Sequence, residues 1–115
     1  MKQIETGKKD IVGKWHITKM SEWDNDYVNK EVKAFIRIGK SGNGEFHFGY
    51  VQGSMSGDFK KLGKDSVYDF TFDGSDECDP INGDGWMKVN PDGTAEGEMR
   101  FHMGDSSRFW AKRTK

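Results

Sequence analysis

The sequence predicts an all-β domain, a small antiparallel up-and-down barrel of seven or eight strands. Three observations carry this. Apolar residues recur with period two along most of the chain, the pattern of half-buried strands. Fifteen glycines and two prolines punctuate that pattern at short intervals. No window shows a sustained helical period, apart from one short turn over 22–29. A single sheet built from so many strands would leave its apolar face wet, so it should curl and close.

Each element follows in order. Residues 1–10 are polar and charged and read as a flexible tail, with a single domain over 11–115. The first strand runs from about Val12 to Glu22, with Trp15 and Ile17 on one face. The second covers Glu31 to Ile38, where Val32, Ala34, Ile36 and Ile38 alternate with Lys33 and Arg37. Gly39 to Gly44 is a hairpin turn, followed by Phe46, Phe48 and Tyr50 in alternation. At Val51 the phase changes, with glycines at 53 and 57. No strong two-residue turn pair stands near Gln52-Gly53, so the preferred reading is one long strand bent through a bulge. The alternative is a separate strand over 53–59. Val67 to Asp73 is the next strand, with Tyr68, Phe70 and Phe72 inward. A loop rich in carboxylates spans Asp73 to Asp84, and Gly85 to Val89 returns to strand. Asn90-Pro91-Asp92-Gly93 is a turn whose proline presets the first corner. Ala95 to Met103 and a last strand around Phe109 and Ala111 complete the meander.

Composition sets the bounds on function. Eighteen basic and nineteen acidic residues nearly cancel, which argues against a nucleic-acid binder. Eight Phe, four Trp, three Tyr and six Met make the core aromatic-rich, favouring a packed interior over a roomy one. Cys78 is the sole cysteine, so no intrachain disulfide forms, in keeping with a reducing compartment. The polar N-terminus is not a signal peptide, and no run approaches a membrane span. A cytoplasmic protein without nucleic-acid or membrane partners is expected. Phe35 and Trp110 interrupt the polar face, and if joined in one patch they would suggest a homodimer surface.

Gly13-Lys14-Trp15, at the start of the first long strand, resembles the Gly-x-Trp of the calycins, the lipocalin-like barrels. The resemblance implies that Trp15 packs across the closed end of the barrel. A wider resemblance rests on four runs: Gly13 to Asp24; Gly44 to Gly53; Phe72 to Asp79 with Gly83 to Trp86; and Phe101 to Ser107. It covers most of residues 12–113 and is to a family of small uncharacterised bacterial proteins. That family has no assigned activity, so the resemblance implies a shared fold and a shared acidic loop and transfers no chemistry.

Hairpin connections in a meander alternate between its two ends. The 73–84 loop and the 104–107 turn therefore share one end, and 90–93 lies at the other. Glu22, Asp24 and Asp26 join the acidic end only if 53–59 is a separate strand; the bent-strand reading sends them to the opposite one. The candidate ligand-binding residues are Asp76, Glu77, Asp79, Asp84, Trp86, His102 and Asp105. Clustered carboxylates repel one another unless a cation sits among them, and a divalent cation would use Asp76, Glu77, Asp79 and Asp84. The calcium-loop pattern fails when started at Asp73, because Cys78 stands where glycine is required and Asp84 where glutamate is. Ser107, His102 and Asp105 can be drawn as a hydrolytic triad, but no nucleophile elbow accompanies them, and polar residues are common in turns. His16 and His47 face outward and lack ligand-like spacing. The expected function is a non-enzymatic barrel that binds a cation, a small polar ligand or a basic partner at its acidic end. The alternatives are a self-associating structural barrel and a hydrolase using His102 with loop carboxylates.

Overall fold

Strand alternation here ends in a closed sheet. The computed structural model describes residues 8–114. Eight strands follow one another: β1 (Gly13–Met20), β2 (Phe35–Ile38), β3 (Asn43–Phe48), β4 (Val51–Leu62), β5 (Asp65–Asp76), β6 (Asp79–Val89), β7 (Thr94–Phe101) and β8 (Ser106–Arg113). Each pairs antiparallel with its successor, and β8 returns to β1, setting Ile17 opposite Ala111. Two single-turn helices complete the fold, α1 (Lys8–Ile11) and α2 (Asn25–Val28). Of the tail expected over 1–10, residues 1–7 lie outside the described residues, while α1 begins at Lys8 and its Ile11 is buried.

The interior solves a space problem by pairing rings with glycines. Phe46 faces Gly53 across β3 and β4, Phe72 faces Gly83 and Phe70 faces Gly85 across β5 and β6, and Phe109 faces Gly97 across β7 and β8. A Cβ at any of these glycines would stand between 2.6 and 2.9 Å from the facing ring. The rings thus lie on bare backbone, and side chains fill the barrel around them. Of the expected inward set, Trp15, Ile17, Ile36, Phe48, Tyr68, Met87 and Met99 are among those wholly buried. Val32 is not: it is 39% exposed and lies in the β1–β2 connection, because β2 begins only at Phe35. Tyr50 is only half-buried, in the β3–β4 turn.

Two expectations are corrected. The chain does not bend through a bulge at 51–53; β3 and β4 are separate strands joined by a turn at Gly49-Tyr50, with Phe48 paired to Val51. Gly49 has φ +56°, and a Cβ there would strike the Tyr27 ring. Gly53 and Gly57 keep the inward phase of Val51, Met55 and Phe59 and do not break it. The acidic segment 73–84 is likewise not a loop. Register continues through Asp73↔Asn82 and Gly74↔Ile81 to Asp76↔Asp79, leaving Glu77 and Cys78 as the connection. Extending the ladder pairs backbone groups that a loop would leave to water.

The two ends of the barrel are closed differently. At the basal end Trp15 is fully buried and its indole donates to Ile11 O at 2.9 Å. The Arg113 guanidinium lies 4.4 Å from the Trp15 ring centroid and donates to the carbonyls of Val12 and Asp10. At the other end, the rim, Trp23 covers the mouth against Phe48 at 5.1 Å and Phe101 at 6.1 Å.

Candidate functional site

Because β4 is a separate strand, four connections meet at the rim: 21–34, 49–50, 77–78 and 102–105. This overturns the placement of Glu22, Asp24 and Asp26 at the opposite end. Backbone hydrogen bonds lace the connections together. Gly49 N donates to Val28 O at 2.8 Å, and Glu77 N donates to Tyr50 O at 3.1 Å. Asp24 caps α2 by accepting from Tyr27 N at 3.0 Å. Ser21 N donates to Arg108 O at 2.9 Å, fixing the start of the long connection. Trp23 is thereby held over the mouth by the segment that carries it.

A cleft of about 430 Å³ opens beside Trp23. Ile81 and Phe101 form its apolar wall with Trp23, while Asp76, His102 and Asp105 supply its polar edge. Met103 stands at its mouth, 94% exposed and with φ +58°, so this apolar side chain is held out into water by the turn. Asp76 and Asp105 make no ion pair among the described residues, and neither do Glu77 and Asp79. The outer wall of the barrel is different, pairing Lys60 with Asp69 at 2.7 Å and Arg108 with Glu96 at 3.2 Å. The rim's negative field reaches Tyr27. Burial chiefly raises its hydroxyl pKa, the bond from Tyr50 N opposes this, and the charges of Asp76 and Glu77 add to the rise.

Three of the seven expected site residues, Asp76, His102 and Asp105, line this cleft. Glu77 lies in the 77–78 turn and Asp79 directly follows it, both exposed. Asp84 sits lower, on the outer face of β6, gripped by Arg100 through Nε to Oδ1 at 3.0 Å and Nη2 to Oδ2 at 3.4 Å. Trp86 is one position pair further down that face, under the Arg108 guanidinium at 5.9 Å. The four proposed metal ligands are thus spread from the rim to the flank. Among the described residues no group of three or more His, Cys, Asp or Glu side chains is placed to hold a metal ion. Ser107 is buried and committed elsewhere: its Oγ donates to Arg108 O at 3.0 Å and accepts from Glu22 N at 3.3 Å. It makes no hydrogen bond to His102 among the described residues. Phe35 and Trp110 on the outer wall lie under the ammonium groups of Lys14 and Lys19.

Trp23 is the site residue that sequence reasoning missed. Its signal was parity, since once β4 is counted separately a tryptophan in the first connection must sit at the acidic end. Comparison with protein-family models, with curated proteins and with solved structures returns no match for this chain.

Proposed function

We propose that this protein is a non-enzymatic, calycin-like binding module of the cytoplasm that takes a cationic group in its rim cleft. One observation carries the reading: the carboxylates of Asp76 and Asp105, free of ion pairs among the described residues, stand beside the aromatic wall of Trp23 and Phe101. Carboxylates attract an ammonium or guanidinium, and aromatic faces attract both the cation and its hydrocarbon stem. An amine on an aliphatic body satisfies both halves of the cleft, whereas a bare divalent cation would leave the aromatic half unused.

Magnitudes limit the strength of one such group. An exposed ion pair contributes about 0.2–1 kcal/mol and a partly exposed cation–π contact about 0.5–1 kcal/mol. A single amine is therefore expected to bind only weakly, with a Kd of about tens to hundreds of millimolar. The test is an NMR titration with lysine amide, with its uncharged counterpart norleucine amide alongside. Shifts centred on Trp23, His102 and Asp105 for the amine alone support the reading. Equal response to both compounds, or none to either, overturns it. Calcium, magnesium and manganese belong in the same series, and a rise in melting temperature with one of them would restore the metal version.

A further inference from the structure

The rim cleft does not end at the rim. Phe101, His102 and Asn82 line both it and a second concavity of about 680 Å³ on the outer face of β4–β7. That concavity shares Ser56, Thr71, Asp84 and Arg100 with a third of about 450 Å³ reaching Asp58 and Asp69. The three hollows adjoin one another, from Asp76 at the rim over Asn82 and His102 onto the outer face, and then down β5 past Asp73 and Thr71 to Asp69. At about 3.3 Å per residue that stretch spans roughly 20–25 Å. Its depth comes from short outward side chains, Ser54, Ser56 and Thr71, in a wall otherwise built of long ones.

We propose that this groove, beginning at the rim cleft and resting on the cationic reading of that cleft, holds an extended basic peptide segment of about six residues. Charge complementarity identifies the occupant. Arg100 answers Asp84 and Lys60 answers Asp69. Asp58 and Asp73, like Asp76 and Asp105 at the rim, have no ion pair among the described residues. An extended chain places alternate side chains on one face about 6–7 Å apart, so basic residues at every second position meet carboxylates along the groove. Along the floor of the groove β5 is paired on both sides over 69–76, so the peptide main chain has no ladder to join there. The groove supplies side chains for that purpose instead: the amide of Asn82 and the hydroxyls of Ser54, Ser56 and Thr71.

The experiment is fluorescence anisotropy with a labelled Lys-Ser-Lys-Ser-Lys-Ser peptide, read beside the NMR titration with lysine amide. The peptide is expected to bind at least about tenfold tighter than lysine amide and to weaken severalfold as salt rises, since exposed pairs are screened. Asp58→Asn with Asp73→Asn should weaken the peptide about fivefold while leaving lysine amide unaffected. Asp76→Asn with Asp105→Asn should weaken both. Lysine amide bound at the rim but a peptide indifferent to Asp58 and Asp73 overturns the groove and leaves the cleft standing. Neither probe binding overturns both. Maltohexaose competing as well as the peptide overturns the basic occupant in favour of a glycan. All four substitutions are at exposed positions, so folding is not at stake.

Discussion

The two ends of the barrel are each closed by a tryptophan, and the contrast between them separates scaffold from site. Trp15 is wholly buried, its indole N–H is satisfied and its ring is capped by an arginine that also binds two carbonyls. A cleft of about 510 Å³ opens here too, but Asp10 and Arg113 in its lining are already bonded to Ser66 and to backbone carbonyls. Trp23 is half-exposed, rests on other rings and borders a cleft whose carboxylates lack cations among the described residues. One end spends its chemistry internally; the other keeps it available. The comparison teaches that aromatic closure alone does not mark a binding site, and that the polar groups left over around it do.

The largest effect should come from the basal tryptophan. Trp15→Ala is expected to destabilise by about 3–5 kcal/mol, through lost burial and a cavity the sheet cannot close. Trp23→Ala should cost about 1–2 kcal/mol, because the ring is already partly hydrated, and it should abolish lysine amide binding. Urea unfolding measures both, and equal losses would erase the distinction between the ends. Next comes alkaline pH. Tyr68 donates to Gly42 O at 2.6 Å at the basal end, and burial, helped by the Asp58 charge, pushes its hydroxyl from 10.0 up to about 12. The folded state therefore holds this proton more tightly than the unfolded chain. The associated stability is complete below pH 10 and is lost as pH climbs to 12, to the extent of about 3 kcal/mol. Tyr68→Phe should flatten that decline far more than Tyr27→Phe at the rim. A third perturbation strikes the rim lid. Gly49→Ala forces a left-handed backbone on alanine and pushes against Tyr27, at an expected cost of about 1–2 kcal/mol. Proton exchange should accelerate at the α2 amides and leave α1 unchanged; acceleration at both ends would mean the ends are coupled. The smallest effect is loss of the α2 cap: Asp24→Ala should cost about 1 kcal/mol or less in thermal unfolding.

The barrel itself was legible because polar and apolar residues alternate cleanly in β2, β3, β5 and β7, and because Asn90-Pro91-Asp92-Gly93 admits little but a turn. What misled was glycine. At Gly53, Gly83 and Gly85 the residue stands in an inward position as the flat partner of an aromatic ring, yet in one dimension it looks like a breaker. Seeking the turn near Gln52-Gly53, where no strong pair stands, merged two strands, because the turn lies at Gly49-Tyr50. Reading Gly74, Gly83 and the acids between them as a loop shortened the β5–β6 hairpin. The first error moved a connection to the wrong end and hid Trp23. Asp76, His102 and Asp105 were within reach of the sequence because they flank connections whose end depends only on counting strands from the C-terminal side. Asp84 was misplaced for the second reason, since a residue thought to close a loop is a rung of the barrel wall; Trp86 was read in a strand, as found, but that strand begins at Asp79, which sets Trp86 down the flank.

The seam between β1 and β8 has a consequence for biosynthesis. Trp15 and Ile17 pair with residues at the far end of the chain, Arg113 and Ala111. The sheet cannot shut until β8 has been released, so the nascent chain carries an unclosed aromatic face until that strand emerges. A premature stop between Phe101 and Ser106 would leave β1 and β7 as bare edges, the state most prone to aggregate.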